Sequence, residues 1–265
     1  MGVFNPTRRL ENQLQREHGY RVILGVDEVG VAPSCGPVVA CALAMPLDKR
    51  FISGVRDSKM LSAAQREKLA RKILRQALTI GLGAASVREI DQLNIYYATI
   101  LAMKRAVTRA GAHDFVIVDG RHIRGFEEHA GPYKAVVDGD ARVYAISCAS
   151  IIAKVTRDRL MSRLAVRYPG YGWEHNQGYA TRDHRDAIRA MGLTPFHRRS
   201  FLALQRTLAG DQMELDLVAD PAASPDGHAL LERELVPVMA DDATLDAVDL
   251  RILDLDESVL GIAAR

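Results

Sequence analysis

Aromatic residues are scarce in this 265-residue chain, at 6%, and there is a single tryptophan. A core of stacked rings is therefore not available. The 48% hydrophobic content must come from Val, Ile, Leu and Ala, which favours helices packed on a sheet. Cysteine is sparser still, with Cys35, Cys41 and Cys148 and no Cys-x-x-Cys pair. So few dispersed thiols suit a reducing cytoplasm, and each reads as buried filler among small apolar neighbours rather than as a nucleophile. No apolar run approaches the ~20 residues of a membrane span. The stretch from Met1 to Tyr20 is polar and holds no secretory apolar core, so neither membrane insertion nor export is expected. A phosphate-binding P-loop, a dinucleotide fingerprint, a Ser-His-Asp triad and internal repeats are all missing. His175, His184 and His197 lack the spacing of metal ligands and read as structural or phosphate-facing.

The formal net charge of +2 hides an asymmetry. From Asp211 onward there are 14 acids and only Arg233, Arg251 and Arg265 as bases, which leaves 32 of the 35 bases and 19 of the 33 acids in the first 210 residues. A body with a net charge of +13 points to a polyanionic partner; a solvated arginine-rich surface is the plainer alternative.

Hydrophobic patterning divides the chain into a lead-in over 1–20, a layered α/β domain over 21–210 and an acidic, partly disordered tail over 211–265. Strands are expected where β-formers run up to Asp27 and Glu28 (21–28), after a Gly/Pro turn (36–46), at 79–86, and at Phe115–Val118. Helices are expected at Ser62–Leu78 with Ser62 as N-cap, at Asp91–Ala110 closed by Gly111, and at 182–191. Tyr144–Tyr168 reads as one long helix or as a strand-like start followed by a helix. In the tail, 228–236 and 244–253 could form short amphipathic helices.

Two adjacent acids, Asp27 and Glu28, end an otherwise apolar strand. Burying both is costly unless a cation compensates. Strand side chains alternate between faces, so both reach one site only if the chain turns there, and the Gly30–Pro37 segment supplies a turn. Asp119 follows Val-Ile-Val at the end of another strand, and Asp140 precedes the small-residue run Ser147–Ser150. Oxygen-only ligands imply Mg²⁺ or Mn²⁺ rather than zinc. Four carboxylates can hold two such ions ~4 Å apart, an arrangement suited to in-line displacement at a phosphodiester. Taken singly, Asp119 could be a turn residue and Asp140 an Asx-turn or helix cap.

The segment Gly25-Val26-Asp27-Glu28-Val29-Gly30 resembles the opening motif of ribonuclease HII. Further similar segments follow in order: Asp57–Ser62, Ile90–Ile95, Val118–Gly120, Gly139–Ala141 with Ala149–Arg159, Tyr168–Gly172, Gly178–Thr181 and His197–Phe201. Each is weak alone, but their collinearity over 21–201 is specific. The resemblance implies a ribonuclease H-like fold, a mixed five-stranded sheet flanked by helices with a C-terminal helical part. It implies that Asp27, Glu28, Asp119 and Asp140 are the metal-binding catalytic acids. It also implies cleavage of RNA paired with DNA, or of ribonucleotides embedded in duplex DNA, on the 5′ side of a ribonucleotide to leave a 3′-hydroxyl and a 5′-phosphate. Tyr179 matches the family's tyrosine that stacks on the sugar at the RNA–DNA junction, and Lys59 and Lys154 are candidate phosphate contacts.

One stretch departs from the family. Where ribonuclease HII reads Asp-Glu-x-Gly-Arg-Gly, this chain has Asp27-Glu28-Val29-Gly30-Val31-Ala32. In the family that Gly-Arg-Gly backbone approaches the ribose 2′-hydroxyl. Val31 removes a guanidinium, and Ala32 adds a Cβ. Junction recognition is then relaxed, or the backbone amides of 30–32 still perform it; a hybrid-binding protein without activity is the third reading. In the tail, Gln212–Val218 resembles a sliding-clamp-binding peptide with Val218 in place of the usual aromatic, the alternative being a chance alternation. A monomer is expected.

Overall fold

The computed structural model describes residues 5–209. The clamp-like segment 212–218, the helices expected at 228–236 and 244–253 and the acidic tail lie outside the described residues.

The elements run α1 (Arg9–His18), β1 (Ile23–Val29), β2 (Val38–Ala44), a 3-10 turn at Ser58–Met60, α2 (Ala63–Gln76), β3 (Thr79–Ala85) and α3 (Val87–Ala110). They continue with β4 (Phe115–Asp119), α4 (Glu127–Ala130), β5 (Tyr133–Val136), α5 (Gly139–Arg142), α6 (Tyr144–Arg167), α7 (Trp173–Asn176), α8 (Arg182–Met191) and α9 (Leu202–Ala209). The strands form one five-stranded sheet in the order β3-β2-β1-β4-β5. β1 pairs antiparallel with β2 and parallel with β4, and β5 extends the parallel half. The sheet is mixed, as expected.

Strand alternation divides the core into layers. Leu24, Val26, Val38, Ala40, Ala42, Val116 and Val118 share one apolar cluster with Ala98, Ala102 and Ala106 of α3. From the other face, Cys41 and Leu43 meet Ile73 of α2 and Cys148, Ile151 and Ile152 of α6. All three cysteines are buried and free. A third cluster, including Met161, Tyr171, Trp173, Ile188 and Leu204, joins the end of α6 to the C-terminal helices. Burying each large aliphatic side chain here contributes about 1.5–3 kcal/mol. Ser62 caps α2 as expected, in a capping box with Gln65, and Ser86 forms a second box with Glu89 at the start of α3.

The ambiguous start at Tyr144 is helix from its first residue. Its first half is apolar or small all round because β1 and β2 cover one side and α2 another, so helical periodicity is masked in the sequence. Residues 1–20, expected as a lead-in, hold α1, whose Leu14 is buried with Ile117 and Ile146. Thr7 bridges to Val143. Among the described residues no helix is long and apolar enough to cross a membrane.

Candidate active site

The parallel pairing of β1 with β4 sets Gly25 opposite Ile117 and Val26 opposite Val118. Continuing that register by one residue brings Asp27 level with Asp119 at the carboxyl ends of both strands. Gly25 lets α6 lie directly on β1, since a Cβ there would sit 2.3 Å from the Ala145 carbonyl carbon. That close approach sets the Ser150 hydroxyl near Asp27, where it favours the charged carboxylate, with Ser58 Oγ 2.9 Å from Ser150 Oγ. Asp140 arrives from α5, immediately before α6. The Gly139 N–H donates to Asp119 Oδ1 at 2.7 Å, which ties the residue next to Asp140 to the end of β4. Ser147 Oγ donates to the Asp140 carbonyl at 2.5 Å.

Carboxylate oxygens of Asp27, Asp119 and Asp140 come within 4.8 Å of one another, and Asp27 and Asp140 are only 4% and 6% exposed. Glu28 stands beside them, its N–H donating to Asp27 Oδ1 at 2.8 Å. Burial pushes the Asp27 carboxyl well above the usual range, and the neighbouring Glu28 and Asp119 charges push it further. Burial, then Asp119, raises Glu28 to about 7. Asp119 is raised by burial and by Asp140, against the Gly139 N–H that favours its charged form. Lys59 Nζ lies 3.3 Å from Asp140 Oδ2, on a side chain that is itself largely exposed. Mutually repelling, desolvated, oxygen-only donors of this kind fit a hard divalent cation, which would remove the repulsion the protein leaves in place.

The remaining expected site residues fall into two groups. Gly30 is buried with a left-handed φ of 95°, while Val31 and Ala32 are exposed at the turn after β1. Tyr179, 49% exposed, sits between α7 and α8, and its turn is fastened to the post-β1 loop where the Ser34 N–H donates to the Gly178 carbonyl at 3.0 Å. Lys154 lies elsewhere in the network. It pairs with Asp158 of the same helix at 2.6 Å, and Asp158 also takes Arg66 of α2 at 3.3 Å, so the link between α6 and α2 is made by Arg66 and Asp158, with Lys154 beside them. Ser150 and two buried arginines, Arg157 and Arg198, were not singled out in the sequence. Their only signal was membership of the motif segments.

His184 and His197, distant in sequence, meet at 3.3 Å between Nε2 atoms, with Cys35 Sγ 4.0 Å from His184. Their partners define their protons. His184 Nδ1 must donate to the Tyr179 carbonyl at 2.8 Å, and its Nε2 accepts from Trp173 Nε1 at 3.0 Å. His197 Nδ1 accepts the Thr194 N–H at 2.9 Å, which leaves its proton on Nε2, facing His184. As neutral imidazoles the rings leave Trp173 and His197 to share the single lone pair of His184 Nε2. Burial lowers both pKa values, and His184 beside it helps bring His197 to about 4. Cys35, His184 and His197 thus bring three potential ligand atoms within 4.8 Å of one another under the Tyr179 turn, a convergence their sequence spacing did not suggest.

The sheet order and the acids at the ends of its central parallel strands define a protein of ribonuclease H-like fold. The ribonuclease H2 of Pyrococcus horikoshii superposes with a TM-score of 0.57 at 25% identity, covering 70% of this chain and 96% of that one. The ribonuclease HII of Archaeoglobus fulgidus, solved in complex with PCNA, gives 0.55 at 26% identity, covering 68% and 95%. A ribonuclease HIII solved with Mn²⁺ shares the fold at 19% identity, covering 73% of this chain and 71% of that one, with a TM-score of 0.55. The family model for ribonuclease HII matches residues 24–204. Among curated relatives, the ribonuclease HII of Thermosynechococcus vestitus is 49% identical over 200 residues, 74% of this chain and 91% of that protein. That of Ruegeria pomeroyi is 47% identical, covering 78% and 87%. The chain belongs to the ribonuclease HII family.

Proposed function

We propose that this chain is an endonuclease that cuts the RNA strand of RNA/DNA hybrids, and ribonucleotides embedded in duplex DNA, 5′ of a ribonucleotide, leaving a 3′-hydroxyl and a 5′-phosphate. The observation that carries this reading is the buried convergence of Asp27, Asp119 and Asp140 within 4.8 Å, with Glu28 adjacent. These four acids would hold two Mg²⁺ or Mn²⁺ ions, which when bound supply an activated water and charge stabilisation at the leaving oxygen. The N–H groups of Glu28 and Gly139 orient the carboxylates in advance through their bonds to Asp27 and Asp119. Lys59, exposed and beside Asp140, offers a mobile cation to the phosphate backbone. Tyr179 presents its ring to the sugar next to the cut, and the +13 body attracts the duplex. Three buried, unpaired thiols suit a cytoplasmic setting.

The test is strand cleavage on two labelled duplexes, one with a single ribonucleotide and one with a run of several, in Mg²⁺ and in Mn²⁺. Both are expected to be cut, with Asp27→Asn reducing each rate on the order of 100-fold or more. Cleavage of the run alone would replace this reading with one of relaxed junction specificity. Binding without cleavage of either would leave a non-catalytic hybrid-binding protein.

A further inference from the structure

Arg157 and Arg198 are among the largest fully buried side chains of the molecule, 1% and 0% exposed. Among the described residues, neither has a carboxylate within ion-pair distance. Their guanidinium hydrogens go instead to backbone carbonyls. Arg157 donates from Nε to Pro37 O at 3.0 Å, from Nη1 to Gln177 O at 2.9 Å and from Nη2 to Cys35 O at 2.8 Å. Arg198 donates from Nε to Gly36 O at 2.9 Å, from Nη1 to Val31 O at 2.9 Å and from Nη2 to Gly30 O at 2.5 Å.

Five of these six acceptors belong to the loop between β1 and β2, and the sixth lies two residues before Tyr179. The two forks therefore hold the whole Gly30–Pro37 loop from behind, and Arg157 bolts it to the Tyr179 turn. The glycines agree with this reading. A Cβ on Gly30 would meet Arg157 Nε at 2.2 Å, and one on Gly36 would meet Met161 Sδ at 2.5 Å and Arg157 Nη2 at 3.4 Å. Gly30 is thus demanded by the arginine behind the loop as well as by its positive φ. On the other side of the loop, Val31 and Ala32 are exposed, and among the described residues their N–H groups meet no protein acceptor. Asp91 completes the support by accepting the N–H groups of Arg199 at 3.1 Å and Ser200 at 3.0 Å, which fixes the chain on which Arg198 stands.

Two desolvated cations without counter-ions are costly to bury and are retained only where their full hydrogen-bonding fork is used. Burial lowers both, Arg157 to about 10 and Arg198, beside it, to about 9, so both stay charged at neutral pH.

Resting on the function proposed above, we propose that Arg157 and Arg198 are positioning residues for ribonucleotide recognition. They lock the backbone of residues 30–32 and the Tyr179 turn into one rigid reader that does not depend on the side chain at position 31. The change to Val31-Ala32 then leaves the outward N–H groups where a 2′-hydroxyl can use them.

Two measurements test this on the full-length chain. In the first, hydrogen exchange is followed in Arg157→Lys and in Arg157→Met, which keeps the length and drops the charge. Faster exchange is expected over 30–37 and 177–180 together, with the sheet unchanged; exchange rising in one segment alone, or in neither, overturns the clamp. In the second, Arg157→Lys and Arg198→Lys are placed in an Asp27→Asn background, and binding of a single-ribonucleotide duplex is compared with binding of its all-DNA counterpart in Ca²⁺. The ribonucleotide preference is expected to fall about 10- to 100-fold while all-DNA binding stays level. A parallel loss on both duplexes, or unfolding of both Arg157 variants, would reduce the arginines to fold determinants and overturn the assignment. Absence of any preference in the Asp27→Asn parent would instead count against the proposed function, and the exchange result would still decide the clamp.

Discussion

At the scale of single residues, the acids at the site work against the stability of the protein that carries them. Asp27 is buried beside Glu28 and Asp119, and all three carboxyls are pushed upward. An acid whose folded pKa is raised binds protons more tightly in the native state than in the unfolded chain. Stability is then lost as pH rises from the unfolded value through the folded one, here from the ordinary carboxylate range up to about 7 for Glu28. Asp27→Asn keeps an oxygen to accept the Glu28 N–H and removes one charge. In chelator, the variant is expected to be more stable than the parent by about 1–2 kcal/mol at pH 8. That gap should shrink toward pH 5 and should reverse when Mn²⁺ is added. Urea unfolding at the two pH values checks it, and a variant less stable than the parent in chelator at pH 8 would contradict the repulsion argument. Asp27, Glu28 and Asp119 drew notice in the sequence because carboxylates at the ends of apolar strands are conspicuous, whereas Asp140, on a short helix, was joined to them as one set through the family resemblance. Arg157 and Arg198 were not, because their partners are carbonyls 120 and 168 residues away, and a carbonyl has no sequence signature.

Among the elements, α3 shows how a motif can encode a joint rather than a contact with substrate. Its helix is broken at Asn94, where φ is 65° and ψ is 168°. The Asn94 side chain accepts the N–H groups of Tyr96 at 2.9 Å and Tyr97 at 3.2 Å, so it serves as N-cap of the second half. The bend separates the segment bearing Asp91, which is tethered to Arg199 and Ser200, from the segment that packs under β2 and β3. Asn94→Ala loses the cap and keeps the unfavourable φ, and is expected to cost about 2–3 kcal/mol, with Asn94→Gly closer to the parent because it relieves the backbone. Thermal or urea unfolding reads the difference. A straight, undestabilised Asn94→Ala variant would show that the joint is imposed by the packing alone. The helix was visible from Asp91 onward by its apolar spacing, but the joint was not, since asparagine at positive φ looks like any other polar residue in a helical pattern. β5 escaped for a related reason. It is four residues long, lies at the sheet edge and is only half-buried, so it shows no clear alternation. The short helices α4, α5 and α7 exist through local turns and tertiary packing rather than periodicity.

For the whole molecule, the charge map and the fold have to be read together. The sheet brings Asp27, Glu28 and Asp119 to the carboxyl ends of its central strands and α5 adds Asp140, so that a negative site lies within a body carrying 32 Lys and Arg against 19 Asp and Glu. Such a body attracts polyanions at long range, and the buried acids would admit a phosphate chain only where cations offset them. The 14 acids beyond residue 210, against three arginines, form a second polyanion attached to the same chain. A tethered polyanion competes with the duplex for the basic surface at an effective concentration set by its attachment, and the competition is electrostatic, so it is screened by salt. Truncation after residue 210 is therefore expected to tighten duplex binding by roughly 3- to 10-fold at 50 mM salt, to steepen the dependence of affinity on salt, and to converge with the full chain near 300 mM. Equilibrium binding of one all-DNA duplex by both proteins across that salt range is the measurement. Coincident curves would mean that the tail's charge never meets the basic body, whereas an offset independent of salt would mean that it occupies the site by shape rather than by charge.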